Sequence, residues 1–386
     1  MDKNIEKIIN DIVWWIPFKN KRNYLRNELK NEINNIINNK DEIIDEKNKI
    51  INDKYINNFK ANDNTLIKKI RYDFVKDNNF IYRYNKLIKN LDNISVNIIS
   101  GIISKISNFN NIDDDVYFGL DEIEYLNREN SKHCNKIIKV NNQCYIYDNK
   151  YILDRNFFEI SNFYEQIGLN NIEKLDCIKN KSIIDAGAYI GDTAIILSDY
   201  TTNNVYAFEP LLVNYEIMKN IIELNNKKNI IPIYSALGEY NKDIYIDGSN
   251  NIDDSVYMLS MLNNKNISID KYKGSNMESE IYDIYQYQDN MNKLKMVTLD
   301  KFVEENNIEV GLIKTDLEGF EKSFLKGAIN TIKEQKPILI ISIYHSYDDL
   351  LDIKPMIEEL NLGYKFKILG TKEFKVVGET KLLAEV

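Results

Sequence analysis

The 386-residue chain holds only five prolines, fourteen glycines, three cysteines, two histidines and two tryptophans. Each scarcity excludes something. Cys134, Cys144 and Cys177 are odd in number and follow no ligand spacing. That argues against a disulfide framework or a zinc site, and for a reducing compartment. The longest apolar run, PILIISIY at 337–344, is too short to cross a bilayer. The first ten residues, MDKNIEKIIN, alternate charge with isoleucine at helical spacing and carry no secretory signal. A cytoplasmic protein is therefore expected. A formal net charge of −9 and a pI near 5.1 give no electrostatic footprint for nucleic acid. Heavy use of Asn, Ile, Lys and Tyr reads as nucleotide bias of the gene, not as function. No repeat of fixed period is evident.

What is present changes in texture near residue 135. Residues 1–135 read as an N-terminal α-helical domain. Ile5, Ile8, Ile9, Ile12 and Val13 fall on one helix face. Similar periodicity runs through 31–56 and 92–109, with an Asn-rich joint at 57–64. The stretch IVWWIPFKNKRNYLR (12–26) sets Trp14 and Trp15 ahead of Lys19, Lys21, Arg22 and Arg26. Aromatics beside basic residues suit peripheral contact with an anionic membrane surface. The plainer account is a helix end whose tryptophans pack on the rest of the domain.

Residues 136–386 read as a second domain. IIKVNNQCYIYDNKYILD suggests short strands with a hairpin at Asp148–Asn149. RNFFEISNFYEQIGL (155–169) suggests a short amphipathic helix ended by Gly168. From residue 181 strands alternate with helices, and the final segments GYKFKILG and TKLLAEV read as strands. Continuous apolar strands between helices predict a mainly parallel sheet covered on both faces. Ligands in such sheets sit beyond the strand C-terminal ends. Residues 240–292 form a polar insertion rich in Tyr and Asp. Stacking rings and hydroxyl-binding carboxylates would suit a lid over an acceptor, and a solvated surface excursion explains most of its positions as well.

The stretch IIDAGAYIGDTAIILSDY (183–200) is a strand turning into a helix. A dinucleotide loop needs glycine at its first, third and sixth positions. Here those positions hold Gly187, Tyr189 and Asp192. Tyr189 would crowd a pyrophosphate, and Asp192 puts a carboxylate where a phosphate would sit. NAD is disfavoured. A nucleoside without phosphate, such as S-adenosylmethionine, is not. Glu209 ends the next strand, 24 residues after Asp185, where it can accept hydrogen bonds from both ribose hydroxyls. Pro210 then stiffens the turn. Read singly, Asp192 as a helix cap and Glu209 as a solvated residue would be ordinary.

DAGAYIGDT, VYAFEP, VTLDKF and IKTDLEGFEKSFLKGA occur in that order. Together they resemble the FkbM family of S-adenosylmethionine-dependent methyltransferases, over residues 145–386. The resemblance implies an α/β class I methyltransferase (Rossmann-like) fold, with a seven-stranded sheet and an antiparallel last strand. It implies methyl transfer to oxygen, on sugars or secondary metabolites. The cofactor contacts it implies are Asp185, Gly187, Ala188, Tyr189, Gly191, Asp192, Glu209, Pro210, Ser235, Ala236 and Asp316. The acceptor expected is a small molecule or a glycan, with no nucleic acid as partner.

Methyl transfer needs the acceptor near attack distance and a way to remove its proton. Asp316 ends the strand GLIKTD and is expected at the transferring methyl, as base or as orienting carboxylate. Glu318 lies in the same DLEG motif, and capping of the helix at 320–334 accounts for it equally well. His345 follows the apolar strand ILIISIY. It adjoins Asp316 if the family's sheet order holds, and it is a natural base near neutral pH. Asp316, Glu318 and His345 could also hold a divalent metal, which is not expected. His133, in SKHCN, is given no role. Asn214 and Tyr215 either shape the ribose side or pack their helix. Two functions stay open: an S-adenosylmethionine-dependent O-methyltransferase acting on a sugar or surface-glycan precursor, and a non-catalytic cofactor-binding or assembly module on the same fold.

Overall fold

In the computed structural model the described residues are 6, 23, 26–31, 60–247 and 291–386. Two units are present, Met1–Lys60 and Ala61–Val386. Within the first, residues 26–31 are helical and Lys30 meets Glu6 at 2.6 Å. Trp14 and Trp15, most of the basic stretch after them, the periodic segment at 32–56 and the insertion residues 248–290 lie outside the described residues.

The second unit begins with four helices, α1 (Asn64–Phe74), α2 (Phe80–Ile88), α3 (Asn93–Ser107) and α4 (Leu120–Cys134). Ile67, Ile70, Leu87, Ile99 and Ile106 are fully buried, in one core with Ile184, Ile313 and Ile341 of the main sheet. Residues 61–134, grouped by their texture with an N-terminal domain, therefore lie in the unit that carries the sheet. An amphipathic helix must bury its stripe against something. Here α3 packs on the edge strand β12 (Lys365–Leu369), and α2 packs on helix α10 (Tyr347–Glu358). Polar contacts fix the arrangement. The guanidinium of Arg83 reaches Asp348 at 2.7 Å and Asp352 at 2.9 Å. Asp63 leaves its own helix uncapped and instead accepts backbone N–H groups of Val376, Val377 and Gly378 at 2.7–3.0 Å.

A small antiparallel sheet follows: β1 (Ile137–Asn141), β2 (Cys144–Tyr147) and β3 (Tyr151–Leu153). Tyr147 pairs with Tyr151, and Asp148 and Asn149 have φ of 53° and 55°. Three residues connect the strands, and the Lys150 N–H donates to the Tyr147 carbonyl at 2.9 Å across a turn whose central Asp and Asn tolerate positive φ. The stretch expected as an amphipathic helix is instead a π turn at Ile160–Tyr164 and a 3₁₀ segment at Gln166–Asn171. Phe158, Ile160, Phe163, Ile167 and Leu169 are all buried, so the segment wraps the core and does not offer it one stripe. The chain turns through Gln166, Ile167 and Gly168, whose φ values are 52°, 61° and 100°.

The main sheet has seven strands: β4 (Ser182–Ala186), β5 (Val205–Glu209), β6 (Ile230–Tyr234), β10 (Val310–Thr315), β11 (Ile338–Ser342), β12 and β13 (Lys381–Glu385). Their order is β6-β5-β4-β10-β11-β13-β12, with β13 antiparallel to both neighbours. This is the class I methyltransferase topology. Every residue of β4, β10 and β11 is buried, as in a parallel sheet covered on both faces. Helices α5 (Asp192–Leu197), α6 (Leu212–Leu224), α7 (Leu299–Asn306), α8 (Glu321–Gly327) and α9 (Ile329–Gln335) connect the strands with α10. The single helix expected over 321–335 breaks into α8 and α9 at Ala328, with φ −115°. There Gly327 passes so close to the carbonyl of Gly238 that an added Cβ would lie 2.0 Å from its oxygen. A third sheet, β7 (Ala236–Leu237), β9 (Met291–Val297) and β8 (Lys242–Asp247), lies beside the C-terminal end of β6.

The shared core makes a direct prediction. Ile99→Ala should lower the stability of the unit holding the sheet by about 2–4 kcal/mol, because the cavity opens in a common core. Urea unfolding followed both by far-ultraviolet circular dichroism and by proteolysis of β10 should show one shifted transition. Loss of α3 alone, with the sheet still protected, would refute a shared core.

Candidate active site

Two charged residues interrupt the apolar strands at the sheet centre. Asp185 of β4 and Lys314 of β10 are directly opposite one another in register. Their side chains are 0% and 2% exposed, and they meet at 3.1 Å. The ammonium of Lys314 also donates to the carbonyl of Gly187 at 2.8 Å, and Thr193 donates to Asp185 at 2.7 Å. Burial alone would favour a neutral lysine. The carboxylates of Asp185, Asp316 and Asp192 outweigh it and hold the Lys314 ammonium above its ordinary pKa.

The loop after β4 is drawn tightly onto the loop after β10. Asp316 N–H donates to the carbonyl of Ala186 at 2.9 Å. Gly187 has φ 78°, and a Cβ there would lie 1.9 Å from the carbonyl oxygen of Asp316. Only glycine fits. Ala188 is fully buried and donates its N–H to the carbonyl of Phe208 at the end of β5, and Gly191 turns the chain at φ 86° beside Met218. Tyr189 also lies in the left-handed region, at φ 48°. Asp192 then opens α5, fully enclosed, and accepts from Asn162 at 2.9 Å. Burial pushes its carboxyl up to about 6, with the charge of Asp185 adding to the effect.

Glu209 closes β5. Its carboxylate accepts N–H groups of Tyr189 and Leu211, each at 2.9 Å, and faces Asn214 at 3.4 Å. Burial raises it to about 7 against those bonds. Oε1 takes both Leu211 and Asn214, whereas Oε2 takes Tyr189 alone and retains a lone pair for a further donor.

The third group lies after β10 and β11. Tyr344 donates to Asp316 at 3.0 Å. His345 brings Nε2 to 3.3 Å from Asp316 and 3.6 Å from Glu318, and Nδ1 to 2.9 Å from Glu321. These are ion-pair approaches, not aligned hydrogen bonds. Burial opposes a charge on His345, yet Glu321 and Asp316 hold the imidazolium well above its ordinary pKa. Burial would raise Asp316, and His345 and Lys314 instead keep it far below the usual carboxylate range. Asp316, Glu321 and His345 present ligand atoms within 4.8 Å of one another. The two ring nitrogens, however, face different carboxylates. The imidazole bridges them and is poorly arranged to share one ion with both.

These groups surround a cleft of about 700 Å³ above the C-terminal ends of β4, β5 and β10. Gly187, Tyr189, Asp192, Glu209, Pro210, Ser235, Ala236, Asp316 and Glu318 line it. Asp185, Ala188, Gly191 and His345 do not reach the cleft wall; they sit behind it and fix those that do. The Ser235 hydroxyl is engaged with the carbonyl of Lys295 at 2.9 Å, so its contribution to the wall is mostly backbone. His133 is buried against the Tyr147 hydroxyl at 3.2 Å, away from the cleft.

Residues 185–366 match the family model described as the methyltransferase FkbM domain. Over these residues, just under half of the chain, the sequence is similar to an FkbM methyltransferase domain. Among solved structures, the chain is similar to the methyltransferase FkbM from Methylobacillus flagellatus KT. The identity is 18% over 82% of this chain and 60% of that one, with a TM-score of 0.48. This chain thus spans about 60% of the length of that relative. It is also similar to a precorrin-6y C5,15-methyltransferase from Geobacter metallireducens GS-15, at 10% identity over 57% of this chain and 85% of that one, TM-score 0.31. A third is the Pyrococcus abyssi tRNA (uracil-54, C5)-methyltransferase, solved with S-adenosyl-L-homocysteine, at 11% identity over 64% and 44%, TM-score 0.30. No curated protein matches the chain.

Sequence reasoning missed several residues of the cleft. Lys314 stood inside the quoted IKTDLEG motif, and a lysine within an otherwise apolar strand was its signal. Glu321 was hidden because the helix start was credited to Glu318. In the structure Glu321 accepts the N–H groups of Leu317 and Gly319, at 2.7 and 3.0 Å. Glu159, Asn162 and Glu379 line the cleft from outside the matched residues, and nothing local marked them.

Removing one partner of a buried ion pair strands the other. Lys314→Met should therefore destabilise the fold by about 3–5 kcal/mol. Lys314→Met combined with Asp185→Leu should recover much of that loss in urea unfolding. A double variant no more stable than the single would show that the pair is not the unit.

Proposed function

We propose that the chain is an S-adenosylmethionine-dependent O-methyltransferase that methylates a hydroxyl of a sugar or surface-glycan precursor. The observation that carries the reading is the pairing of Asp192 and Glu209 on one cleft wall. A carboxylate at the helix start repels a phosphate, and a carboxylate at the end of β5 whose Oε2 keeps a free lone pair suits a ribose hydroxyl. Glu159, Asp192, Glu209, Asp316, Glu318 and Glu379 line the cleft against Lys242 and Lys314. That excess of carboxylates favours a cationic ligand. Phe157, Tyr240 and Phe320 add aromatic surface, and rings beside carboxylates are suited to a carbohydrate acceptor.

S-Adenosylmethionine would supply an electrophilic methyl on a positive sulfur. The chain's own contribution is to orient and to exclude water. Glu209 would bind the ribose, the backbone of Gly187 and Tyr189 would follow the cofactor chain, and Ser235 and Ala236 would border the base. Asp316, ionised and braced by Tyr344, would face the sulfur end.

Calorimetric titration tests this. S-Adenosylmethionine should bind and NAD should not, with or without magnesium. Glu209→Gln should weaken binding about 10- to 100-fold, the loss expected for a charge-assisted hydrogen bond. The pH dependence follows from the raised Glu209. Hydroxyl donors favour its ionised form, so binding below about pH 7 must expel a proton. Affinity should rise with pH up to about 7 and then level, and Glu209→Gln should flatten that rise. Failure of S-adenosylmethionine to bind would end the proposal.

A further inference from the structure

We propose that Glu318 is the proton acceptor for the attacking hydroxyl, and that the buried Glu321–His345 pair holds Asp316 in place beside it. The inference rests on the reading of the cleft as a methyl-transfer site. Three residues compete for the proton, and the geometry separates them. The His345 side chain is 6% exposed and does not border the cleft, and its two nitrogens face Glu321 at 2.9 Å and Asp316 at 3.3 Å. It has no path to a substrate hydroxyl. Asp316 borders the cleft, but its Oδ1 already accepts the Tyr344 hydroxyl at 3.0 Å and faces the His345 imidazolium at 3.3 Å. The Glu318 side chain is 63% exposed and lines the cleft, and among the described residues its one ion-pair contact is His345 at 3.6 Å.

The backbone explains why Glu318 is the residue presented. Glu318 and Gly319 both lie in the left-handed region, at φ 51° and 94°. The chain therefore reverses straight after β10. Non-glycine residues rarely hold that conformation without support. Glu321, fully buried, supplies it by accepting the N–H groups of Leu317 and Gly319 at 2.7 and 3.0 Å. One buried carboxylate thus fixes the turn that exposes Glu318 and the imidazole that pins Asp316.

The charges around Glu318 agree. Partial desolvation at the cleft edge raises its carboxyl even though more than half of the side chain reaches solvent, and Asp316 and Glu321 beside it and Glu379 from the loop before β13 add to that, against the imidazolium of His345. The other groups facing it are the Tyr344 hydroxyl and Lys69 of α1. A base raised above its ordinary value beside a carboxylate held low is the division of roles that proton transfer needs. In the step itself the acceptor oxygen forms the new O–C bond as the methyl C–S bond breaks. The bonding pair stays on sulfur as a thioether, and the hydroxyl proton passes to a Glu318 oxygen.

The test uses the full chain. With ¹³C-labelled glutamate carboxyls, the resonance missing from Glu318→Gln should titrate above the ordinary glutamate value of about 4.3. In the nitrogen spectrum, Glu321→Gln should lower the pH at which His345 loses its proton. With radiolabelled S-adenosylmethionine and a panel of methyl glycosides, Glu318→Gln should lower turnover about 10²- to 10⁴-fold without changing cofactor affinity. Glu318→Asp should recover part of it, and at saturating cofactor the acid limb of the turnover profile should vanish in Glu318→Gln and persist in Glu209→Gln. A Glu318 titrating at or below the ordinary value, or a Glu318→Gln variant with wild-type turnover and pH profile, overturns the assignment while cofactor binding stands. An unchanged His345 titration in Glu321→Gln overturns the positioning role. A wild-type chain that binds no S-adenosylmethionine overturns the reading of the cleft and this proposal with it.

Discussion

One buried ammonium organises the centre of this molecule. Lys314 lies across from Asp185 on neighbouring strands, and its reach to the Gly187 carbonyl ties the first glycine loop to the strand that ends at Asp316. A buried pair of this kind adds little stability over an apolar pair of the same size. What it supplies is placement. The glycine loop, Asp316 and the opening of α5 are held within one small region, and that region is the cleft wall.

Around this anchor the carboxylates have divided into different states. Asp316 is surrounded by positive charge and stays ionised, whereas Asp192 and Glu209 are raised mainly by burial. The molecule therefore holds a wall of acids without the full repulsion that ionising all of them would bring. A positively charged ligand would relieve what repulsion is left, so the same wall that strains the free protein would attract a sulfonium.

Much of this was legible in the residues. The apolar run PILIISIY and the strand GLIKTD between helices predicted buried parallel strands, and the spacing of Asp185, Gly187 and Glu209 pointed to a cleft at the strand C-terminal ends. Register was not legible. Nothing in IIDAGA and LIKTD says that Asp185 and Lys314 sit opposite each other, because that depends on how two strands far apart in the chain align. Distance in sequence also hid Glu379, which comes 220 residues after Glu159 and lines the same cleft. The stretch at 155–169 was misjudged for a local reason. A period of apolar residues looks helical even where, as here, Phe158, Ile160, Phe163, Ile167 and Leu169 are buried from π and 3₁₀ turns and not from one helical stripe.

The carboxylate of Asp63 has a wider consequence. It sits at the start of the first helix of this unit and gathers the backbone of Val376, Val377 and Gly378, one step from Glu379. The stretch that evolution transmits as a recognisable family runs from 185 to 366. The stretch that must be inherited together for the cleft floor to form begins more than a hundred residues earlier. Recombination between relatives that respected only the family boundaries would exchange the chemistry and leave its support behind.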